Sequence, residues 1–420
     1  PGYPLFIAAV YRLHLPLKLS EHVLHLIAAG VLSLAVARVT RARPLAIVLY
    51  CALALDPSYL GRASSVFSRD NYYSSLSLLL VGAVVLVVAD VPGLVRRGPL
   101  VALPVLTVSA IALGAVAGLY YMTREERIWL APTAVLALVV AVVTWRRRDL
   151  GVVLLAGATM LVVAVAGTTT WWSIDRVRDR NEAEYGSRII GELAEGEGAR
   201  AYAEWQRIDL GPVLHWVTIN TEQRHAAYRV SPAAAQLAPH LEGGGTRWMG
   251  EGCSPPLRDT CEYRGGFFVW VLREATWQTG HGGTAVEAQA FLGRLADEIH
   301  AACDVGRLPC TPPGIAAMPP WSRIDEDRLW PSAHRLTTNL FAFEGAEPGP
   351  ARTSGSTPER WQEMLRPLRG IDATQAEYDQ MARAAAGRQW PVAFLTDVYR
   401  WVARLGVFPA LLGIAVGLGT

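Results

Sequence analysis

Between Asp56 and Asp90 a polar loop runs straight into an apolar segment, DPSYLGRASSVFSRDNYYSSLSLLLVGAVVLVVAD. From Leu76 to Ala89 no side chain ionises. Arg62, Arg69 and Asp70 stand just before the run, and Tyr72 and Tyr73 lie at its mouth. A domain in water has no reason to follow charges with such a run. A membrane protein has one: a helix of about 20 apolar residues crosses the hydrocarbon, and the charges and rings wait at the interface.

The pattern recurs along the first 172 residues. Pro1 to Leu19, with proline at 1, 4 and 16, reads as the end of a loop and a short membrane-entering helix. Val23–Val36 is the first clear span and ends at Arg38, Arg41 and Arg43. Leu45–Leu55 is short, suited to a tilted or re-entrant segment, and is closed by Asp56-Pro57. After the opening stretch come Arg96 and Arg97, then Leu100–Tyr121, the charged knot Thr123 to Arg127, Ile128–Val143, the triplet Arg146-Arg147-Arg148, and Leu150–Trp172. A further span is expected from Val407. The chain starts on proline and stops inside an apolar run, so it is expected to be an internal piece of a longer protein. Only 18% of residues are charged against 51% hydrophobic, below the roughly 25% of ordinary soluble domains. The net charge of +2 says nothing for nucleic acid, and none is expected as a partner.

Loop charge sets an orientation. Arg38/Arg41/Arg43, Arg96/Arg97 and Arg146/Arg147/Arg148 form loops that are purely basic. They alternate with loops where arginine is offset by acid: Arg62/Arg69 with Asp56/Asp70, and Arg124/Arg127 with Glu125/Glu126. The positive-inside tendency puts the basic set in the cytoplasm. Asp56–Tyr73, Thr123–Arg127 and everything beyond Trp172 are then extracytoplasmic. Trp129 and Trp171-Trp172 suit an aromatic belt on that side.

From Ser173 the polarity is mixed and no spanning run follows for more than 200 residues. The expected layout is a multi-span region over 1–172, an extracytoplasmic domain over 173–395 and a further membrane helix beginning in 396–420. The fold class expected is mainly α: a polytopic transmembrane bundle carrying a large extracytoplasmic α+β domain. Helices are read at Asn181–Ile208, Pro232–Leu241, Phe267–Thr279, Thr284–Cys303, Pro358–Leu368 and Thr374–Gly387, a short strand at His215–Ile219 and a loop at Glu344–Thr357. The strongest periodicity is in Thr284–Cys303, where Val286, Ala290, Leu292, Leu295, Ile299 and Ala302 recur at helical spacing.

Cys51 lies in a span and reads as a small packing residue. Cys253, Cys261, Cys303 and Cys310 fall as two close pairs outside the cytoplasm, which predicts the disulfides Cys253–Cys261 and Cys303–Cys310. Neither pair has the two-residue gap of a zinc knuckle.

Two constellations carry possible chemistry. Arg69-Asp70 sits at the outer mouth of a span. An acid kept ionised beside an arginine serves as a base, a metal ligand or an anchor for a hydroxyl. The plainer reading is an ion pair that caps a helix. Thr123 to Arg127 joins two spans with almost no loop. Two arginines there suit a phosphate or pyrophosphate, or simply fix the helices at the interface. The histidines His215, His225, His240, His281, His300 and His334 have no HExxH spacing, Gly243–Gly245 and Gly282-Gly283 match no phosphate loop, and no Gly-x-Ser-x-Gly elbow occurs. The Trp/Arg-containing stretch 247–277 suits either a saccharide surface or a core.

The opening PGYPLFIAAVYRLHLPLKLSEHVLHLIAAGVLSLAVARV resembles the early part of polytopic GT-C type glycosyltransferases of the protein mannosyltransferase and lipid A aminoarabinose transferase kind. Ser68 to Gly82, SRDNYYSSLSLLLVG, is similar to their second outer loop, and Ala117 to Pro132, AGLYYMTREERIWLAP, to a later turn. The resemblance covers roughly Pro1 to Trp172. It implies a polyprenyl-phosphate sugar as donor in a membrane of lipids, an acceptor of unknown kind on the outer face of a bacterial cytoplasmic membrane, and a catalytic acid in a loop upstream of Pro1. Asp70 then matches a supporting or metal-binding acid, and Arg124 the basic residue of the turn, with Arg69, Tyr72, Glu125 and Glu126 beside them as substrate-binding groups. A divalent metal is compatible with this resemblance but not required by the sequence. The alternative is a non-catalytic membrane protein whose outer domain binds a cell-envelope component or partner. An ion transporter is disfavoured, because the span interiors are read as free of ionisable side chains.

Overall fold

The computed structural model describes residues 1–61, 69–124, 130–145, 152–214, 217–253, 261–312, 327, 329–335, 383, 387 and 389–402. They form two compact units. One is Pro1–Ser173 with the described residues from Ala333 onward, and the other is Ile174–Ser332.

The first unit is helical. α1 (Gly2–Arg12) ends at a turn in which His14 takes a left-handed conformation, φ 53°. Pro16 then starts α2 (Leu17–Thr40). α3 (Arg43–Ala54) and the single turn α4 (Pro57–Leu60) follow, with Asp56 capping α4 through Ser58 N–H. α5 (Arg69–Arg96), α6 (Pro99–Thr123), α7 (Leu130–Trp145) and α8 (Val152–Tyr185) complete the set. By length and composition, four helices can cross a membrane: Leu17–Thr40, Arg69–Arg96, Pro99–Thr123 and Val153–Tyr185. Their outward side chains are the ones hydrocarbon accepts: Leu100, Val108, Val153 and Met160 are all exposed.

The contacts between helices fix their directions. On α2 and α5, His25 meets Ser75, Leu32 meets Gly82, and Arg38 pairs with Asp90. Both helices therefore run the same way, and the chain between them must return across the same thickness. α3 and α4 make that return. The Leu53 carbonyl lies beside His25, and the Tyr59 hydroxyl donates to the Glu21 carbonyl. α3, at 12 residues, extends only about 18 Å and is not one of the four helices long enough to cross a membrane. α6 runs antiparallel to α5, with Tyr120 against Tyr73. α8 runs parallel to α6, with Thr170 donating to the Gly114 carbonyl and Ser173 beside Gly118. Arg38 and Asp90 therefore mark one end of the bundle, and Glu21, Asp70, Arg124 and Ser173 the other.

Two glycines set the closeness of this packing. A Cβ on Gly82 would lie 2.7 Å from the Leu32 backbone, and one on Gly114 would lie 2.4 Å from the Ala166 carbonyl oxygen. Without water to drive association, small residues at crossings are what let membrane helices touch along their backbones.

The second unit departs from the expected α+β class. Among the described residues it contains helices and two isolated β-bridges, Ile208 with Cys310 and Val217 with Arg264, and no strand. The helices are α9 (Gly196–Gln206), α10 (Thr221–Val230), α11 (Pro232–Leu241), α12 (Phe267–Gln278) and α13 (Ala285–Asp304), with a 3₁₀ stretch at Gly244–Cys253. The expected strand at His215–Ile219 reduces, over its described part, to the single bridge at Val217. The long helix expected over Asn181–Ile208 breaks after Tyr185, because Gly186 takes φ 70° and turns the chain before α9 begins. α10 carries a signal that the periodicity reading passed over. Asn220 and Gln223 form a reciprocal capping box. The matching box Thr284/Glu287 opens α13. Trp205, Phe268, Phe291 and Leu295 fill the core between these helices.

Both expected cysteine pairs stand at disulfide distance. Cys303–Cys310 ties the end of α13 to the bridge at Ile208. Cys51 is free and exposed. The helices expected over Pro358–Leu368 and Thr374–Gly387 lie almost entirely outside the described residues, as do the Glu344–Thr357 loop, His215 and the run from Val407.

Candidate functional site

The first turn of α5 and the last turn of α6 bring together two residues that lie 54 positions apart. Arg124 donates to the Asp70 carboxylate and closes an ion pair. The Asp70 side chain is 60% exposed and that of Arg124 26%. The Arg124 guanidinium also lies 5.6 Å over the ring of Tyr73, which stacks on Tyr120 at 4.7 Å with the two hydroxyls 2.5 Å apart. A guanidinium in that position is held by charge on one side and by a ring face on the other.

Below the pair opens a groove of about 420 Å³ between α5, α6 and α7. Tyr73, Ser77, Tyr120 and Thr133 line its polar part, and Leu80, Val81, Pro132 and Leu136 its apolar part. An apolar slot with a few convergent polar groups has the composition of a ligand site. Its volume suits a few isoprene-sized units of a hydrocarbon chain. The exposed ion pair at its head is worth only about 0–1 kcal/mol, so it opens at little cost.

The other predicted site residues are placed as follows. Arg69 opens α5 beside Asp70 and is half-buried. Tyr72 is buried at 2% exposure and packs on Phe6 at 4.6 Å and Tyr3 at 5.8 Å. The tyrosine next to Arg124 is therefore Tyr73, the residue that follows. Glu125 and Glu126 lie outside the described residues. Among the described residues no three His, Cys, Asp or Glu side chains gather to hold a metal ion. Among the described residues the carboxylate at the head of the groove is Asp70, and it is engaged by the Arg124 guanidinium.

The expectation that span interiors hold no ionisable group fails in α2. Glu21 and His25 are buried at 2% and 4% exposure. Glu21 Oε1 accepts from the Tyr3 hydroxyl and Oε2 from Lys18 Nζ, each at 2.7 Å. His25 stacks on Tyr59 at 3.7 Å, and its Nε2 lies 3.0 Å from the Leu53 carbonyl. A carbonyl only accepts, so Nε2 carries a proton, and the opposite nitrogen faces Ser75 at 3.5 Å. The sequence did contain the signal. His25 falls inside the apolar run, and Glu21 lies four residues before it on the same helix face.

In the second unit the densest charge cluster surrounds Arg224, which is fully buried. It donates to Glu242 and Glu262 at 2.8 Å each, and lies 4.9 Å over the Tyr263 ring. Burial works against the Glu242 carboxylate, but Arg224 and the Tyr228 hydroxyl outweigh it and hold the group below the usual carboxylate range. Burial pushes the Tyr263 phenol up to about 12. Every guanidinium nitrogen of Arg224 has a partner, and the cluster reads as a keystone of the fold. Comparison with protein-family models, with curated proteins and with solved structures finds no match.

Proposed function

We propose that the chain is a membrane-embedded glycosyltransferase-like protein that binds a polyprenyl-phosphate sugar in the groove between α5, α6 and α7. The observation that carries this reading is the placement of Arg124 and Asp70 at the head of an apolar groove between helices of membrane-spanning character. The hydrocarbon chain occupies the slot under Tyr73 and Tyr120. The phosphate takes Arg124 in the two-pronged way a guanidinium favours, and Asp70 turns toward the sugar. An acceptor hydroxyl then attacks the anomeric carbon, and the lipid phosphate leaves with its electron pair, stabilised by Arg124.

In this reading the membrane is a bacterial cytoplasmic membrane, and the Asp70–Arg124 end faces outward. The opposite end carries Arg38, Arg41, Arg43, Arg96 and Arg97, the side that positive charge prefers to keep in the cytoplasm. The two cysteine pairs support an extracytoplasmic position for Ile174–Ser332.

The test is binding of a short-chain polyprenyl phosphate, with the uncharged prenol of the same length as control, to the protein in lipid nanodiscs. Arg124→Gln is expected to weaken phosphate binding at least 10-fold and leave prenol binding unchanged. Equal phosphate binding by wild type and Arg124→Gln sinks the proposal. Binding without sugar transfer by the wild-type protein favours the alternative, a non-catalytic envelope-binding membrane protein.

A further inference from the structure

The stretch 247–277 of the second unit holds three tryptophans, and the fold treats them differently. Trp248 and Trp270 are half-buried, and Trp248 Nε1 donates to Glu274. Trp277, in the last turn of α12, is 61% exposed. An exposed apolar side chain is ordinary in itself, but this ring is held in place and borders a cleft. After α12 the chain turns at Gly280, φ 84°, and the His281 N–H donates back to the Thr276 carbonyl. That turn brings Gly282 against the indole, where a Cβ would lie 2.6 Å from the ring. One side of the indole is backed by the chain, and the remainder is open to solvent.

The cleft lies wholly within the second unit, between Glu192-Leu193, α9, α12 and α13. Leu193, Leu272 and Leu292 are part of its apolar lining, and Glu192, Arg273 and Trp277 line it as well. Arg273 Nε donates to Glu192 Oε1 at 2.5 Å, with side chains 47% and 34% exposed. Arg273 stands four residues before Trp277 on α12, so ring and ion pair are neighbours on one helix face.

The chemistry of this cleft narrows its ligand. The hollow is about 30 Å³, room for bound water but not for an apolar side chain, so an apolar peptide anchor does not fit. The ion pair carries no net charge: Glu192 opposes an anion and Arg273 a cation. A guanidinium only donates and a carboxylate only accepts, whereas a hydroxyl does both. Adjacent hydroxyls of a neutral ligand therefore accept from Arg273 and donate to Glu192. The negative face of an indole attracts the positive C–H groups of a saturated ring. A neutral pyranose supplies a C–H face and adjacent hydroxyls together.

We propose that Trp277, Arg273 and Glu192 form a saccharide-binding subsite that takes a neutral pyranose unit of a glycan. The ring lays its C–H face on the indole, and two neighbouring hydroxyls engage the Arg273–Glu192 pair. An ion pair this exposed contributes little to stability, so it can turn toward hydroxyls without disturbing the fold. The subsite is independent of the lipid groove.

The test is saturation-transfer difference NMR on the full chain in lipid nanodiscs, with maltotriose, cellotriose and linear α-mannotriose as probes. At least one triose is expected to bind, with saturation strongest on its ring C–H protons. Trp277→Ala should weaken that binding at least 10-fold, and Trp277→Phe should recover part of it. Arg273→Gln and Glu192→Gln should each weaken it severalfold, with the thermal midpoint unchanged in all four variants. The proposal is overturned if none of the three trioses binds, or if Trp277→Ala binds as well as wild type. It is also overturned if affinity and thermal midpoint fall together in all four variants, because the cluster then only holds the fold. Nanodiscs of brominated lipid that quench wild-type fluorescence more than that of Trp277→Phe would place the indole in the bilayer and overturn it too. A protein that binds a triose through Trp277 but no polyprenyl phosphate keeps this subsite and loses only the groove reading.

Discussion

Arg124 and Asp70 compensate each other's charge, so removing either one changes what the groove attracts. Asp70→Asn takes one carboxylate from Arg124 and a negative charge away from the proposed phosphate position. It is therefore expected to tighten polyprenyl phosphate binding severalfold at low salt, with the gain shrinking at high salt, while sugar transfer falls. Titration of the lipid into the Asp70→Asn protein checks this, and weaker binding would mean that Asp70 holds the ligand. At Arg224 the effect is one of stability. Removing it leaves Glu262, whose side chain is 8% exposed, and Glu242 without their shared cation, and loss of one partner of a buried pair costs about 3–5 kcal/mol. The pH dependence has a definite sign. The Glu242 carboxyl is held below its ordinary value in the folded protein, so its contribution is present above the ordinary carboxylate range and is lost as pH falls through the depressed folded value. Thermal unfolding of the protein from pH 7 down to pH 3 should show that loss, and Glu242→Gln should flatten it. Individual residues were unevenly legible in the sequence. Asp70 and Arg124 were read as separate constellations, and nothing local says that they meet, because their pairing depends on the antiparallel fit of two long helices. Glu21 and His25 were hidden by a hydropathy reading that averages a polar pair into its apolar surroundings.

Among elements, the informative fact is the parallel run of α2 and α5. It requires the chain to return between them, and the 12 residues of α3 with the turn of α4 make that return. A length rule alone leaves this segment ambiguous. The contacts His25–Leu53 and Glu21–Tyr59 fix its path along α2, and no one-dimensional pattern contains them. The closeness of α2 and α5 depends on Gly82. Gly82→Leu forces the side chain into the Leu32 backbone and is expected to cost about 1–3 kcal/mol, the range for overpacking, seen as a lower thermal midpoint in detergent. The same change at Gly93, whose Cβ would meet nothing within 4 Å, should be nearly silent. In the second unit the paired cysteines were legible from spacing and compartment, and the α13 helix from its period. The α+β class was not, since a mixed-polarity segment such as His215–Ile219 fits a strand or an irregular turn equally well until its neighbours are known.

At the scale of the whole molecule, the alternation of helix directions becomes a statement about membrane sides. α2, α5 and α7 run one way, and α3, α6 and α8 the other. Four of these six helices are long and apolar enough to cross a membrane, and Ser58 and Arg124 lie at one end of the bundle with Arg97 at the opposite end. Arg38 and Arg96/Arg97 fall at one end of the bundle, and the spanning character of the long helices was legible because it is carried by composition over long runs and needs no knowledge of packing. Cysteine labelling tests it directly. With Cys51→Ser removing the free thiol, Ser58→Cys and Arg97→Cys each offer one reactive site on an exposed residue. A membrane-impermeant maleimide applied to intact spheroplasts is expected to label Ser58→Cys at once and Arg97→Cys only after the membrane is opened. Trp277→Cys, at a position 61% exposed in the second unit, should label with Ser58→Cys. The reverse order for the first two positions would invert the orientation and put the groove on the cytoplasmic side, where a donor in the outer leaflet cannot reach it. Equal labelling of both from outside would mean that the helices between them do not cross, and the lipid-groove reading would go with them.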